Sequence, residues 1–196
     1  MRRQVRTAMA GLIVAVGLVF AGRAAAQQGI TIGEPTTTQA DPKAGGVNAI
    51  WAYAGTWKTE MEYVDTPYSK TGKESSTLVN DCWKSGVYVA CRQIVNGDPK
   101  VLIVFTCKDD HNCTSYQIPP DGGESGLGKV VLDGGTWTFP WSVTENGKTT
   151  FFRVVNVWTS ARTIDFRREF STDQQHWTRM ASGHEEKQAP GSSNMQ

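Results

Sequence analysis

The chain has 196 residues, of which 39% are hydrophobic and 20% are charged, with 20 glycines and 8 prolines. This composition is typical of a globular protein of one domain and excludes a low-complexity or collagen-like chain. The formal net charge is only +1 and no basic block is long enough to follow a phosphate backbone, so we expect no nucleic-acid partner.

Residues 1–26 have the order of a secretory signal peptide. Three arginines within the first six residues precede an apolar run over 11–20, and three alanines at 24–26 suit a cleavage site. The apolar run is too short to cross a bilayer, so we expect cleavage, no membrane span, and an exported protein that is periplasmic or secreted. Removing residues 1–26 leaves 16 basic and 19 acidic residues.

The remaining chain divides into a leader, one domain and a tail. Residues 27–46 are rich in Thr, Gln and Gly without periodicity, which predicts a flexible leader. The domain covers 47–187 and opens with one short helical turn before residue 56. The polar residues 188–196 form a flexible tail.

From Thr56 the sequence consists of short runs in which apolar and polar residues alternate, separated by Gly, Pro, Asn and Asp. No amphipathic segment of helix length lies between these runs, which disfavours parallel strands. Consecutive strands joined by tight turns form an antiparallel up-and-down meander, and closure into a barrel removes its exposed edges. We therefore predict an all-β barrel of about ten strands. The predicted strands are 56–64, 73–83, 87–95, 100–107, 113–118, 128–132, 136–144, 149–158, 162–171 and 176–185.

The alternation also predicts which face of each strand is buried. In the first strand Trp57 shares a face with Met61, and the opposite face carries Lys58, Glu60 and Glu62. Because charged side chains stay in water, the tryptophan face is expected to point inward. The same argument applies to 136–144 and 162–171. The candidates for lining a ligand cavity are Trp57, Met61, Tyr63, Trp137, Phe139, Trp141, Phe166 and Arg168.

Arg168 stands out because it falls on an apolar face. A lone cation in an interior needs a partner. Two interpretations stay open: a side chain that reaches solvent at a strand end, or a group that pairs with an anion at a cavity mouth. The seven tryptophans likewise either fill the barrel or line an aromatic cavity, and the inward alternation disfavours a surface strip that stacks on sugars.

The four cysteines, Cys82, Cys91, Cys107 and Cys113, agree with export. An even number in an exported chain indicates disulfides. The hairpin spacing favours Cys82–Cys91 and Cys107–Cys113. The rival pairing, Cys91–Cys107 with Cys82–Cys113, stays open because loop length does not decide between them. A zinc site using His111 would match no common spacing, so we expect no metal.

The entry to the first strand, Gly55-Thr56-Trp57, resembles the G-x-W signature of lipocalins and related calycin barrels. Further segments resemble a group of secreted bacterial lipocalin-like proteins of unknown function: Asp81-Cys-Trp83, Tyr88-Val-Ala-Cys91, Phe152-Arg-Val-Val-Asn156 and the run that starts at Phe170. The resemblance covers 50–186 and implies a lipocalin-like barrel.

This resemblance also carries expectations for single residues. It supports the pairing of Cys82 with Cys91. It assigns Gly55 and Trp57 to the entry and floor of the barrel, and implies a basic residue over the tryptophan. Arg179 is the first candidate for that residue and Arg168 the second. The resemblance implies no established reaction.

Residues that carry chemistry are few. The three histidines fall in a loop, at a turn and near a strand end, and neither a nucleophile elbow nor a P-loop is present. We therefore expect no catalytic residues and no cofactor, since polar neighbours disfavour His184 as a haem ligand. The preferred function is an exported barrel that binds a small, mainly hydrophobic molecule. The alternatives are a structural or interaction protein of the cell envelope with a filled core, or a small-barrel enzyme.

Overall fold

A computed structural model describes residues 40–189, and the structural statements below concern this part of the chain. The predicted signal peptide, residues 27–39 of the leader and residues 190–196 of the tail lie outside it. None of the helices between residues 40 and 189 has the length and apolar character needed to cross a membrane.

The described chain is almost entirely β-structure. A short helix, α1 (Gly46–Ile50), and a 3₁₀ turn (Trp51–Tyr53) precede ten strands. The strands are β1 (Gly55–Tyr63), β2 (Gly72–Ser85), β3 (Tyr88–Val95), β4 (Asp98–Cys107), β5 (Asn112–Ile118), β6 (Gly126–Asp133), β7 (Thr136–Glu145), β8 (Lys148–Ser160), β9 (Thr163–Ser171) and β10 (Thr178–Lys187).

The strands form a closed antiparallel barrel in which each strand pairs with the next and β10 pairs with β1. The predicted fold class is thereby confirmed. Turn residues with left-handed backbones support the hairpins: Asn96 and Asn146 have φ of 52° and 50°, and each is followed by a glycine with positive φ. Such Asn-Gly pairs suit the tight turns that match the twist of antiparallel strands.

One end of the barrel is filled by aromatic side chains, which we call the aromatic plug: Tyr53, Trp57, Trp137 and Trp158. Their ring centroids lie 4.9–6.3 Å apart. The Trp57 indole donates a hydrogen bond to the Tyr53 carbonyl (2.9 Å) and the Trp137 indole donates to the carbonyl of buried Pro42 (3.2 Å). The plug closes this end, and the part of the predicted leader around Pro42 packs against it.

Both disulfides have the favoured pairing and lie at the plugged end. Cys82–Cys91 and Cys107–Cys113 each join residues that face each other directly in the ladder, with Cα atoms 4.0 and 3.9 Å apart. The rival pairing is therefore wrong. The hairpin closed by the second bond also accepts a hydrogen bond from the Gly46 amide at the Asp110 carbonyl (3.0 Å), so it holds the start of α1.

The expectation for Arg179 needs correction. Lys187 lies over the Trp57 ring, with its ammonium 5.2 Å from the centroid and 3.1 Å from the Ala52 carbonyl. Arg179 is exposed and lies opposite Glu169 in the β9–β10 ladder, near the other end of the barrel. Since β1 and β10 are antiparallel, the start of β10 lies far from the start of β1, and Trp57 meets the end of β10. The left-handed Gly55 (φ 123°) leaves room for the lysine stem.

The ladder between β6 and β7 is the shortest in the described barrel. Only three register pairs join these strands, between 131–133 and 136–138. The rest of β7 pairs only with β8. Pro140 lies in this one-sided part of β7, where an edge tolerates a residue without an amide hydrogen. The barrel therefore has a seam, defined by 126–130 of β6 and 139–145 of β7, at the end opposite α1.

Trp57→Ala is expected to lower the free energy of unfolding by about 3–5 kcal/mol, because it removes a fully buried indole from the plug. Arg179→Ala serves as the control, with a change within about 0.5 kcal/mol for an exposed residue. Urea denaturation measures both. Equal stability of Trp57→Ala and wild type would contradict the assignment of Trp57 to the plug.

Gly183→Ala is expected to destabilise the barrel by about 1–3 kcal/mol, the usual range for overpacking. The Phe166 ring packs over Gly183, its direct neighbour across the ladder, and an added Cβ would collide with that ring and with the Glu60 carbonyl. Gly86→Ala is the matched control, because nothing lies within 4 Å of its added Cβ. Urea midpoints that fall equally in both variants would contradict this reason.

Candidate functional site

In the half of the barrel away from the aromatic plug, which we call the open half, several inward-facing side chains are partly exposed, and Trp141 reaches 39%. Six predicted cavity residues face this open half from three strands. They are Met61 and Tyr63 on β1, Phe139 and Trp141 on β7, and Phe166 and Arg168 on β9. The other two, Trp57 and Trp137, are 0% and 1% exposed inside the plug and do not line the open half.

An aromatic rim borders the mouth. Tyr68, in the loop between β1 and β2, packs edge-on against Phe152 (5.1 Å) and Phe170 (4.8 Å). Its hydroxyl is hydrogen-bonded to Thr150 (3.1 Å), and Trp141 stacks on Phe152 with centroids 5.4 Å apart. The sequence analysis missed Tyr68, because a loop residue takes no part in the alternation that assigns faces.

Four polar side chains meet where the plug gives way to the open half. We call them the polar floor: Tyr53, Thr59, Asn156 and Glu185. Thr59 and Glu185 face each other across the β1–β10 ladder, and Asn156 points inward from β8. The Tyr53 hydroxyl lies beside both the Asn156 amide and the Glu185 carboxyl. These polar side chains thus lie between the plug and the apolar side chains of the open half.

Arg168 points into the interior from β9, and its charge acts on Tyr53, Tyr63 and Glu185. No carboxylate between residues 40 and 189 lies within 4.0 Å of its guanidinium. Two charged side chains each have a buried atom without a hydrogen-bond partner within residues 40–189: Arg168 Nε, a donor, and Glu185 Oε2, a carboxyl oxygen. The Thr59 hydroxyl lies beside the Glu185 carboxyl and acts on it.

The environment of Glu185 favours its neutral form. Burial raises the pKa of Glu185 to about 7, although the Arg168 charge and the Tyr53 hydroxyl oppose this shift. Burial and the neighbouring Glu185 raise the pKa of Tyr53 well above its ordinary value. Glu185 could not be assigned to the interior from the sequence, because only the pairing of β10 with β1 reveals which face of β10 points inward.

The outer surface holds other charged groups. An open groove of about 730 Å³ is lined by residues of β1, β2, β9 and β10, among them the inward-facing Met61 and Phe166. His184 lies opposite Glu60 in the β1–β10 ladder and faces away from the interior, with its Nδ1 2.7 Å from Asp165 Oδ1. On the same outer side, Glu169 is bound by Arg153 (2.7 Å) and Arg167 (3.0 Å). Residues 40–189 contain no group of three side chains that could hold a metal ion.

Comparisons with known proteins do not identify a family for this chain. No protein-family model matches the sequence, and no curated protein matches it. Among solved structures, the chain is similar to the crystal structure of Rv2717c from M. tuberculosis. The TM-score is 0.44 and the identity 11%, over 73% of this chain and 97% of that one. The resemblance to lipocalin-like proteins stays a prediction.

Glu185→Gln is expected to change how stability depends on pH. Between the ordinary pKa of 4.5 and about 7, the unfolded chain loses the Glu185 proton while the folded chain keeps it, so wild-type stability falls as pH rises through this window. The loss is on the order of 3 kcal/mol by pH 8. Glutamine does not ionise, so the variant avoids the loss.

Urea unfolding at pH 5 and pH 8 measures this difference. Glu186→Gln on the outer face is the matched control, and it should follow wild type at both pH values. The difference in free energy of unfolding between wild type and Glu185→Gln should change between pH 5 and pH 8. An equal difference at both pH values would show that Glu185 is not buried as described.

Proposed function

We propose that this chain is an exported barrel protein that binds a small molecule with an apolar body and a polar end, without a reaction of its own. The observation that carries the proposal is the polar floor beneath an apolar wall in the open half of the barrel. An apolar enclosure with a few convergent polar groups is the usual form of a small-molecule site.

The unpartnered polar atoms favour a binding site over a filled core. A buried donor or acceptor without a partner destabilises a protein by about 1–3 kcal/mol, and native interiors contain few such atoms. Arg168 and Glu185 each contribute one, and the Arg168 charge acts on the Glu185 carboxyl inside the barrel. A ligand whose polar end bonds these atoms would offset the cost, and its apolar body would contact Met61 and Phe166.

The same proposal includes export of the protein from the cytoplasm and membership of a lipocalin-like family. The two disulfides fit an oxidising compartment, in agreement with the signal peptide expected at 1–26. The Gly55-Thr56-Trp57 entry leads directly into the plugged end of a closed ten-strand meander. These features support a lipocalin-like protein of the periplasm or of the medium.

A second candidate function is self-association through the outer surface of the barrel. Apolar side chains form a row across five neighbouring strands, β2 to β6, through direct ladder partners. The row consists of Trp83, Ala90, Val104, Tyr116 and Leu127. Tyr116 is 47% exposed and Leu127 73%, which is typical of an interaction surface. Sedimentation of wild type and Leu127→Asp tests self-association through this row.

The binding proposal predicts a change in tryptophan fluorescence when the protein is titrated with decanol or retinol. The protein is first unfolded and refolded, so that any molecule already bound is removed. Ligand in the open half should alter the emission of Trp141, which lies at the mouth. Trp141→Phe should therefore remove most of the change. Trp83→Phe, on the outer face, is the matched control and should keep it. If no ligand changes the emission or the Tm at high micromolar concentration, the proposal is wrong.

A further inference from the structure

The chemistry of the polar floor narrows the class of ligand, on the basis of the binding function proposed above. Glu74, Arg168, Glu185 and Lys187 are charged side chains on the inward face of β2, β9 and β10. Glu74 accepts a hydrogen bond from the Tyr63 hydroxyl at the mouth (3.0 Å), and Lys187 donates one to the Ala52 carbonyl (3.1 Å). Arg168 and Glu185 each have a buried atom without a hydrogen-bond partner within residues 40–189.

Arg168 and Glu185 lie on adjacent strands and point into the same space. In the β9–β10 ladder Arg168 is opposite Ala181, and Glu185 is opposite Ile164. The two side chains approach from different levels of the barrel. They are near enough for the guanidinium to act on the carboxyl, but they form no ion pair. The unpartnered Nε of Arg168 and the carboxyl of Glu185, when protonated, can each donate a hydrogen bond to one oxygen of the same group.

We propose that Glu185 of the polar floor and the neighbouring Arg168 bind the carboxylate of an amphipathic carboxylic acid together with one proton, which is carried by Glu185. The Arg168 guanidinium donates to one ligand oxygen, and the protonated Glu185 carboxyl donates to the other. No covalent bond changes. The ligand enters as an anion, and Glu185 takes its proton from solvent whenever it was ionised before binding.

A carboxylate fits this arrangement better than an amine or an alcohol. An ammonium would lie beside Arg168 and be repelled, whereas the guanidinium fork matches the geometry of a carboxylate. An alcohol has a single oxygen, so it cannot accept from both Arg168 and protonated Glu185 in the way that the two oxygens of a carboxylate can.

The neutral form of Glu185 is accessible near pH 7, because burial disfavours its charge. The ionisable groups that act on it are Arg168 from β9, Tyr53 from the 3₁₀ turn and His184 beside it on β10. Arg168 and His184 lower the pKa, and their effect is smaller than that of burial. Thr59, from β1, is uncharged. The affinity for a carboxylate is therefore expected to be higher at low pH.

The test uses three ligands with one chain length: decanoate, decanol and decylamine, titrated between pH 6 and pH 8.5. We expect decanoate to bind at least tenfold more tightly than decylamine at pH 6. Above pH 7 its Kd should rise by up to tenfold per pH unit, as for one linked proton. Calorimetry at pH 8 in two buffers of different ionisation enthalpy should show uptake of close to one proton by the unaltered protein.

Matched variants assign the effect to the two side chains. Glu185→Gln should bind decanoate with little dependence on pH, and Glu186→Gln should keep the wild-type dependence. Arg168→Ala should lose the preference for decanoate over decanol, and Arg167→Ala on the outer face should keep it. Circular dichroism verifies that each variant is folded.

The outcomes separate this inference from the proposed function. If decanol binds while decanoate binds no more tightly, the inference is wrong and the binding function stands. The same holds if decanoate binds without proton uptake, or if Glu185→Gln keeps the wild-type pH dependence. If none of the three ligands binds at any pH, the binding function itself is wrong.

Discussion

The ladder between β1 and β10 closes the barrel, and its register decides which residues of the last strand face the interior. Trp57 lies opposite Lys187, Thr59 opposite Glu185 and Met61 opposite Gly183. This pairing sets the lysine over the plug, the carboxyl in the polar floor and the glycine under the Phe166 ring. A shift of one residue would exchange inward and outward faces and turn His184 inward in place of Glu185.

The properties that follow from local alternation could be predicted from the sequence. A period of two residues assigned Met61, Phe139 and Phe166 to the interior, because that pattern is local to each strand. The disulfides were favoured for the same reason, since both bonds span single hairpins. Arg168 was recognised as an inward cation, although its surroundings were not.

The properties that depend on pairing between distant segments could not be predicted. Arg179 was assigned to Trp57 because both lie on strands that meet, but the antiparallel direction puts them at opposite ends of the barrel. Glu185 and Tyr53 come together from the last strand and the 3₁₀ turn, and no sequence spacing connects them. The polar floor is therefore a product of closure rather than of any one segment.

The aromatic plug and the polar floor have opposite effects on stability. The plug buries four large rings in mutual contact, which favours folding. The floor and the neighbouring Arg168 place a carboxyl and a guanidinium next to this plug without joining them in an ion pair, which disfavours folding. Binding sites commonly give up stability in this way, and the surrounding core supplies it.

The short ladder between β6 and β7 has a consequence for how the barrel moves. Along the seam the two strands share no register pair, so fewer interactions oppose their separation there. The three register pairs and both disulfides lie at the plugged end. The wall beside Phe139 and Trp141 is thus its most compliant side, and amide protons along this edge are expected to exchange with solvent sooner than those of the other ladders.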